Sequence, residues 1–197
     1  QQLAEAESLA PRLVNAHSGR DAWDENEAVE FFTGALDLEA RARVPVAHET
    51  HRGRILFNPW ITRRLLSRLP ALKLCCDYSH WVCVAERLIE DQLEILRACA
   101  ARCHHLHARV GYEQGPQVPD PRAPEYQPHL EAHERWWRLI WEAQQARGDA
   151  TTTLTPEFGP PAYLQTLPFT QMPVSCLWDI CNWQAQRQAR RFAETME

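Results

Sequence analysis

Leu72-Lys-Leu-Cys-Cys-Asp77 is a short β-prone run that closes on a carboxylate, with Tyr-Ser-His80-Trp directly behind it. Four other stretches share that plan: Arg12-Leu-Val-Asn-Ala-His17, Val44-Pro-Val-Ala-His-Glu49, His104-His-Leu-His107 and Thr151-Thr-Thr-Leu-Thr-Pro-Glu157. Each ends on a residue able to ligate a metal or carry a proton. Helical periodicity follows every one. Asp24 or Asn26 can cap a helix with apolar Ala28, Phe31, Phe32, Ala35, Leu36 and Leu38. Further helices are expected over about 60–69, 82–100, 130–147 and 176–193. Strand and helix thus alternate five times, which implies a parallel sheet with helical crossovers.

The spacing narrows the architecture. His17 to Glu49 is 32 residues, Glu49 to Asp77 is 28 and Asp77 to His107 is 30. A (β/α)8 barrel allots roughly 31 residues to each unit. The step from His107 to Glu157 is 50, and its surplus lies in the Pro-rich stretch 111–128. The expectation is an α/β fold, a (β/α)8 TIM barrel of which this chain holds the last five units as one domain, 1–197. Three N-terminal units are then missing. An open five-stranded piece has two bare edges, so a missing N-terminal barrel half, or a homo-oligomer, is expected to cover them.

Composition excludes several classes. The chain has 197 residues, 45% hydrophobic and 24% charged, with a formal net charge of −5. An acidic balance without a Lys/Arg-rich tract argues against a nucleic-acid binder, since phosphate neutralisation needs clustered cations. No run approaches the roughly 18 apolar residues that span a bilayer, and no signal peptide opens the chain. The seven cysteines are odd in number and lack paired zinc spacing, which reads as reduced core thiols in a cytoplasmic protein. Trp136, Trp137 and Trp141 share a helical stretch and read as packing rather than as a cofactor box.

The chemistry stands at the strand ends. Barrel enzymes keep their active sites on that face. Strand alternation puts Lys73, Cys75 and Asp77 on one side, as it does His105, His107 and Arg109, and Thr153, Thr155 and Glu157. Glu49, Asp77, His107 and Glu157 together make an oxygen-rich, single-nitrogen site suited to one divalent ion, Mn²⁺, Mg²⁺ or Co²⁺, with Zn²⁺ possible. Three carboxylates this close repel unless a cation neutralises them. His105 is the rival nitrogen, one layer deeper by parity. His48 and His51 flank Glu49 out of phase, and His48 is expected to face the helices. His104, His129 and His133 read as surface or helix packing.

The motifs His17-Ser-Gly, His48-Glu-Thr-His-Arg52, Asp77-Tyr-Ser-His80-Trp, His105-Leu-His107-Ala-Arg109 and Thr155-Pro-Glu157-Phe-Gly resemble the sugar phosphate isomerase/epimerase proteins of the xylose isomerase-like TIM-barrel superfamily. The resemblance implies a Glu49, Asp77, His107, Glu157 quartet holding one divalent metal, Mn²⁺ favoured. It also implies substrate contacts from His17, His80 and Arg109, and Glu49 and Glu157 as acid/base groups. The substrate would be a small-molecule sugar or sugar phosphate, with proton transfer through an enediolate. Arg52 could hold a phosphate or carboxylate. Sister AP endonuclease-type phosphodiesterases gather three zinc ions; His17, His80 and Asp120 fall where their extra ligands stand, but Arg122 replaces a needed histidine. A non-catalytic barrel relic that binds a ligand or partner is the third reading. The stretch 111–122 is expected to be a semi-rigid cover over the mouth, or else a connector packed on Trp136 and Trp137.

Overall fold

The computed structural model describes residues 2–196. Helix α1 (Gln2–Ser8) leads to strand β1 (Val14–Ala16), and β2 (Val46–Glu49), β3 (Leu74–Cys76), β4 (Cys103–His107) and β5 (Leu154–Thr155) follow. The sheet order is β1-β2-β3-β4-β5, with every pair parallel. Sequential parallel neighbours joined by helices form a curled half-barrel sheet, the architecture of a partial TIM barrel.

The strands are short; every residue of β2 and β3 is buried, whereas Asn15 of β1 and Thr155 of β5, at the two edges of the sheet, are exposed. Leu74, Cys76 and Leu106 belong to the main hydrophobic core, together with Trp81, Trp136, Trp137 and Trp141. The tryptophan cluster is therefore packing, as its periodicity implies.

Helix α2 (Glu25–Glu39) starts where its chemistry dictates. The Asp24 side chain accepts from the N–H groups of Asn26 and Glu27, and Glu27 returns a bond to the Asp24 N–H. This capping box satisfies otherwise orphaned helix N–H groups. Helix α3 (Pro59–Arg68) is capped by Asn58, with proline in its first turn, where no donor is lost. His48 faces this outer layer: its Nε2–H donates to Glu39 (2.7 Å), and its Nδ1 accepts from Ser18 Oγ (2.6 Å). That bridge ties β2 to α2 and to the turn after β1.

One expectation needs correction. The helix read over 82–100 is two helices, α4 (Ser79–Ala85) and α5 (Leu93–Ala100), separated by a 3₁₀ turn at Glu90–Gln92. Helix α4 begins early because the Asp77 carboxylate accepts from the Ser79 N–H (3.0 Å). It stops at Glu86, which takes the left-handed conformation (φ 52°), and the break lets Ile89 turn into the core. Helices α6 (Gln127–Arg147) and α7 (Leu177–Met196) complete the outer layer. Gly148, at φ 80°, closes α6 in the position where a side chain is costly. Among the described residues, no helix is long and apolar enough to cross a membrane.

Candidate metal centre

Parallel strands deliver their C-terminal ends to one side, so the residues closing them converge. Glu49 ends β2, Asp77 follows β3, His107 ends β4, and Glu157 stands two residues past β5. One ligand atom from each of the four lies within 4.8 Å of the others. Glu49, Asp77 and His107 are buried, and Glu157 is half-buried.

Hydrogen bonds fix the carboxylates individually. Glu49 Oε2 accepts from Asn15 Nδ2 (2.5 Å) and lies 3.1 Å from His17 Nε2. Asp77 is held on its backbone by Thr50 and on its side chain by Ser79 and Arg109. Arg109 NH2 donates to Asp77 Oδ2 at 2.6 Å and to His80 Nε2 at 2.6 Å. Accepting at Nε2 leaves His80 with its proton on Nδ1, which is buried without a partner. Gly111 lets the chain leave β4 past this turn: a Cβ there would stand 2.4 Å from the Ser79 carbonyl oxygen.

The electrostatics are those of crowded carboxylates. Burial tends to raise the Asp77 pKa, but the Arg109 guanidinium, with His80 and His107, drives it well below the usual range. Glu49 is also held down, since its hydrogen bond to His17, the nearby His107 and the bond from Asn15 outweigh its burial and the neighbouring Asp77 charge. Glu157 goes the other way, raised by burial and by the Asp77 charge. Burial would lower His107, yet Glu157, Asp77 and Glu49 raise it. His80 is pushed down to about 3, chiefly by burial.

This donor set fits a divalent cation. With the imidazole neutral, three carboxylates face one guanidinium, and a 2+ charge balances the remainder. His107 Nδ1 and Glu157 Oε2 stand in ion-pair contact with each other, and Glu49 Oε1 is buried and unpartnered. An unsatisfied buried polar atom is costly, and this one belongs to a residue of the four-membered group. Glu157 is aimed by a left-handed backbone (φ 52°), a conformation costing a non-glycine residue roughly 1–2 kcal/mol. Local strain of this kind concentrates at functional sites.

The other expected residues divide. His17, His80 and Arg109 border the group, through Glu49, Asp77 and Asp77 respectively. Arg52 is exposed at the rim, its guanidinium 5.7 Å from the Tyr163 ring centre. Asp120, expected as a possible extra metal ligand, belongs to no ligand group among the described residues. Its carboxylate is taken by Arg122 Nε (2.8 Å) and NH2 (2.6 Å), because a guanidinium two residues away fits it in a local fork. His105 is engaged by the threonines of the next strand, Thr153 Oγ1 at 2.7 Å and Thr155 Oγ1 at 3.0 Å.

The expected cover also comes from elsewhere. In the stretch 111–122, Val118 is buried in the core, and Gln117 exchanges two hydrogen bonds with Gly159 (2.7 and 3.1 Å). That stretch braces the segment carrying Glu157. The side chain over the mouth is Tyr163, from the loop after β5: Arg109 lies 4.7 Å from its ring centre, and its hydroxyl is 3.5 Å from His51 Nε2. Asn15, Thr50, Ser79 and Tyr163 are the residues that sequence reasoning missed. Asn15 and Thr50 carried a usable signal, since each is polar, Asn15 lying inside a strand and Thr50 directly after Glu49.

No protein-family model and no curated protein matches the chain. Among solved structures it is similar to the probable 3-DHS dehydratase AsbF of Bacillus anthracis, described as involved in petrobactin synthesis. The match covers 96% of this chain and 67% of that one, with 15% sequence identity and a TM-score of 0.56. At that identity the likeness speaks to fold, and it places the chain's five parallel β/α units as part of a TIM-barrel architecture.

Proposed function

We propose that the chain is a xylose isomerase-like barrel enzyme, a divalent-metal-dependent isomerase or epimerase of a sugar or sugar phosphate. The observation that carries this reading is the meeting of Glu49, Asp77, His107 and Glu157, from four successive strand ends, within 4.8 Å. The likeness to a probable 3-DHS dehydratase supports an enzyme on this fold. Glu49, Asp77, His107 and Glu157 would hold the ion, Mn²⁺ being the best match to three oxygens and one imidazole. Bound there, it supplies Lewis-acid polarisation of a substrate carbonyl and stabilises the enediolate oxygen.

The chain's own groups handle the protons. Glu49 and Glu157 reach the site from strands on either side of β3 and β4. Between them they would remove and return the carbon-bound proton. His80 offers its Nδ1–H to a substrate oxygen. Arg109 holds Asp77 and His80 in place, and Tyr163 limits water at the mouth.

The test is solvent exchange. A panel of ketoses and their phosphates in D₂O with Mn²⁺ is expected to gain deuterium at the carbon next to the carbonyl, and Glu157→Gln is expected to lose at least about 100-fold of the rate. Unchanged wash-in in that variant would remove Glu157 from the chemistry. The fold likeness favours one second reading, a dehydratase in which proton removal is followed by loss of a hydroxyl. Release of a dehydrated product without deuterated substrate would select it.

A further inference from the structure

From Phe158 to Trp178 the chain carries no Asp, Glu, Lys, Arg or His, its longest run without them, although 24% of its residues are charged. The run is nonetheless on the surface. Phe169 is fully exposed, Trp178 is 77% and Met172 60% exposed, and Leu167 and Val174 are nearly half exposed. Apolar surface gathered in this way marks a contact face, which apolar residues scattered singly do not.

The segment is built to hold that surface out. The Leu167 N–H donates to the Met172 carbonyl (2.8 Å) and the Val174 N–H to the Gln165 carbonyl (3.1 Å), with Thr166 and Pro173 paired antiparallel between them. Alternation in such a ribbon turns Leu167, Met172 and Val174 to one side. Phe169 stands at its tip in a left-handed conformation (φ 65°). The base is fastened to the stretch 111–122: Gln165 Nε2 donates to the Tyr112 hydroxyl (2.9 Å) and Ser175 Oγ to the Pro119 carbonyl (2.5 Å). Trp178 lies in the first turn of α7, and four residues of chain keep it within about 14 Å of Val174. A ribbon braced in this way loses little freedom on docking.

We propose that this ribbon, with Trp178, is the face on which two copies of the chain pair about a two-fold axis. Charge selects that occupant. Each copy carries a net −5, which opposes close approach of two chains, whereas an uncharged patch meets itself without conflict. A membrane surface fits less well: its anionic lipids draw on Lys and Arg, the run has neither, and Glu157 and Asp179 border it. Area points the same way. Phe169 and Trp178 alone offer about 300 Å², and Leu167, Met172 and Val174 extend this toward the roughly 800 Å² that each partner brings to a standard interface. Pairing also steadies the segment that carries Tyr163, two residues before the ribbon. The interface does not depend on the isomerase reading.

Sedimentation of the full chain at about 10 µM tests it, against a variant that combines Phe169→Asn with Trp178→Gln. Asparagine tolerates the left-handed backbone, so the turn is kept, and circular dichroism checks the fold. The wild type is expected to sediment as a dimer, and the double variant to need at least about 30-fold more protein to pair, as for loss of interface hot spots. Leu38→Asn, which removes an exposed leucine from α2, is expected to leave the dimer intact. A wild-type monomer would overturn the proposal, as would a dimer that the double variant keeps. A dimer lost in Leu38→Asn as well would remove the assignment to this face. Flotation with phosphatidylcholine–phosphatidylserine vesicles reads the rival occupant: binding by a monomeric wild type, lost in the double variant, would give the ribbon to a membrane instead.

Discussion

Thr50 and Asp77 hold each other across β2 and β3 through one hydroxyl: the Asp77 N–H donates to Thr50 Oγ1 at 2.7 Å, and that hydroxyl donates to the Asp77 carbonyl at 2.9 Å. Both residues are fully buried. Thr50→Val keeps the shape and removes both bonds, leaving a buried N–H and C=O unsatisfied. The expected cost is about 1–3 kcal/mol in urea denaturation, with weaker binding of Mn²⁺ because the backbone that carries the Asp77 carboxylate loses its anchor. Unchanged stability and unchanged affinity would show that the strand ends are fixed without Thr50.

Arg109 is buried against Asp77 and His80, and its loss strands the Asp77 charge. Arg109→Met is expected to cost roughly 3–5 kcal/mol, as when one member of a buried ion pair is removed. Bound Mn²⁺ is expected to recover part of that loss by supplying positive charge at the same carboxylate. A thermal melt with and without Mn²⁺ reads the difference; equal recovery in wild type and variant would count against the shared charge balance.

Much of this arrangement is legible in the sequence, for a physical reason. Strand period, helix period and the near-constant spacing of His17, Glu49, Asp77 and His107 all follow from backbone geometry, so five parallel units and a common mouth can be read directly. The identity of the four converging side chains follows from the same alternation. The break at Glu86 does not, because the apolar pattern of 82–100 continues through it and only the burial of Ile89 requires the turn. Tyr163 is invisible for a different reason: it sits in an irregular loop, where sequence distance from Arg109 and His51 says nothing about contact. The fork of Arg122 on Asp120 is local, a pairing that a spacing of two residues allows but does not dictate.

His133 makes stability depend on pH. It is fully buried, donates from Nδ1 to the His129 carbonyl, and accepts the Gly111 N–H at Nε2, so both nitrogens are used in the neutral form. Burial pushes its pKa down to about 4, below the 6.5 of an unfolded histidine. Below 6.5 the unfolded chain takes up a proton that the folded chain refuses. The stability this residue contributes is thus complete above pH 6.5 and is lost as pH falls toward 4, by roughly 3 kcal/mol in all. His133→Gln is expected to flatten that part of the curve in denaturant titrations between pH 7 and 4.5. An equally steep fall in the variant would assign the effect to other groups.

Gly111 is irreplaceable for steric reasons. A Cβ at this position would meet the Ser79 carbonyl oxygen, which is backbone and cannot swing aside. Gly111→Ala is expected to destabilise the chain by about 1–3 kcal/mol and to weaken Mn²⁺ binding, because Ser79 is the residue that orients Asp77. Wild-type metal affinity in a folded Gly111→Ala chain would separate the turn from the centre.

The most direct measurement is the position of a bound ion. Crystals soaked in Mn²⁺ and recorded with anomalous scattering are expected to show a peak about 2.0–2.6 Å from donor atoms of Glu49, Asp77, His107 and Glu157 together. Saturating Mn²⁺ with no peak among those four side chains, in crystals where all four remain ordered, would contradict the account.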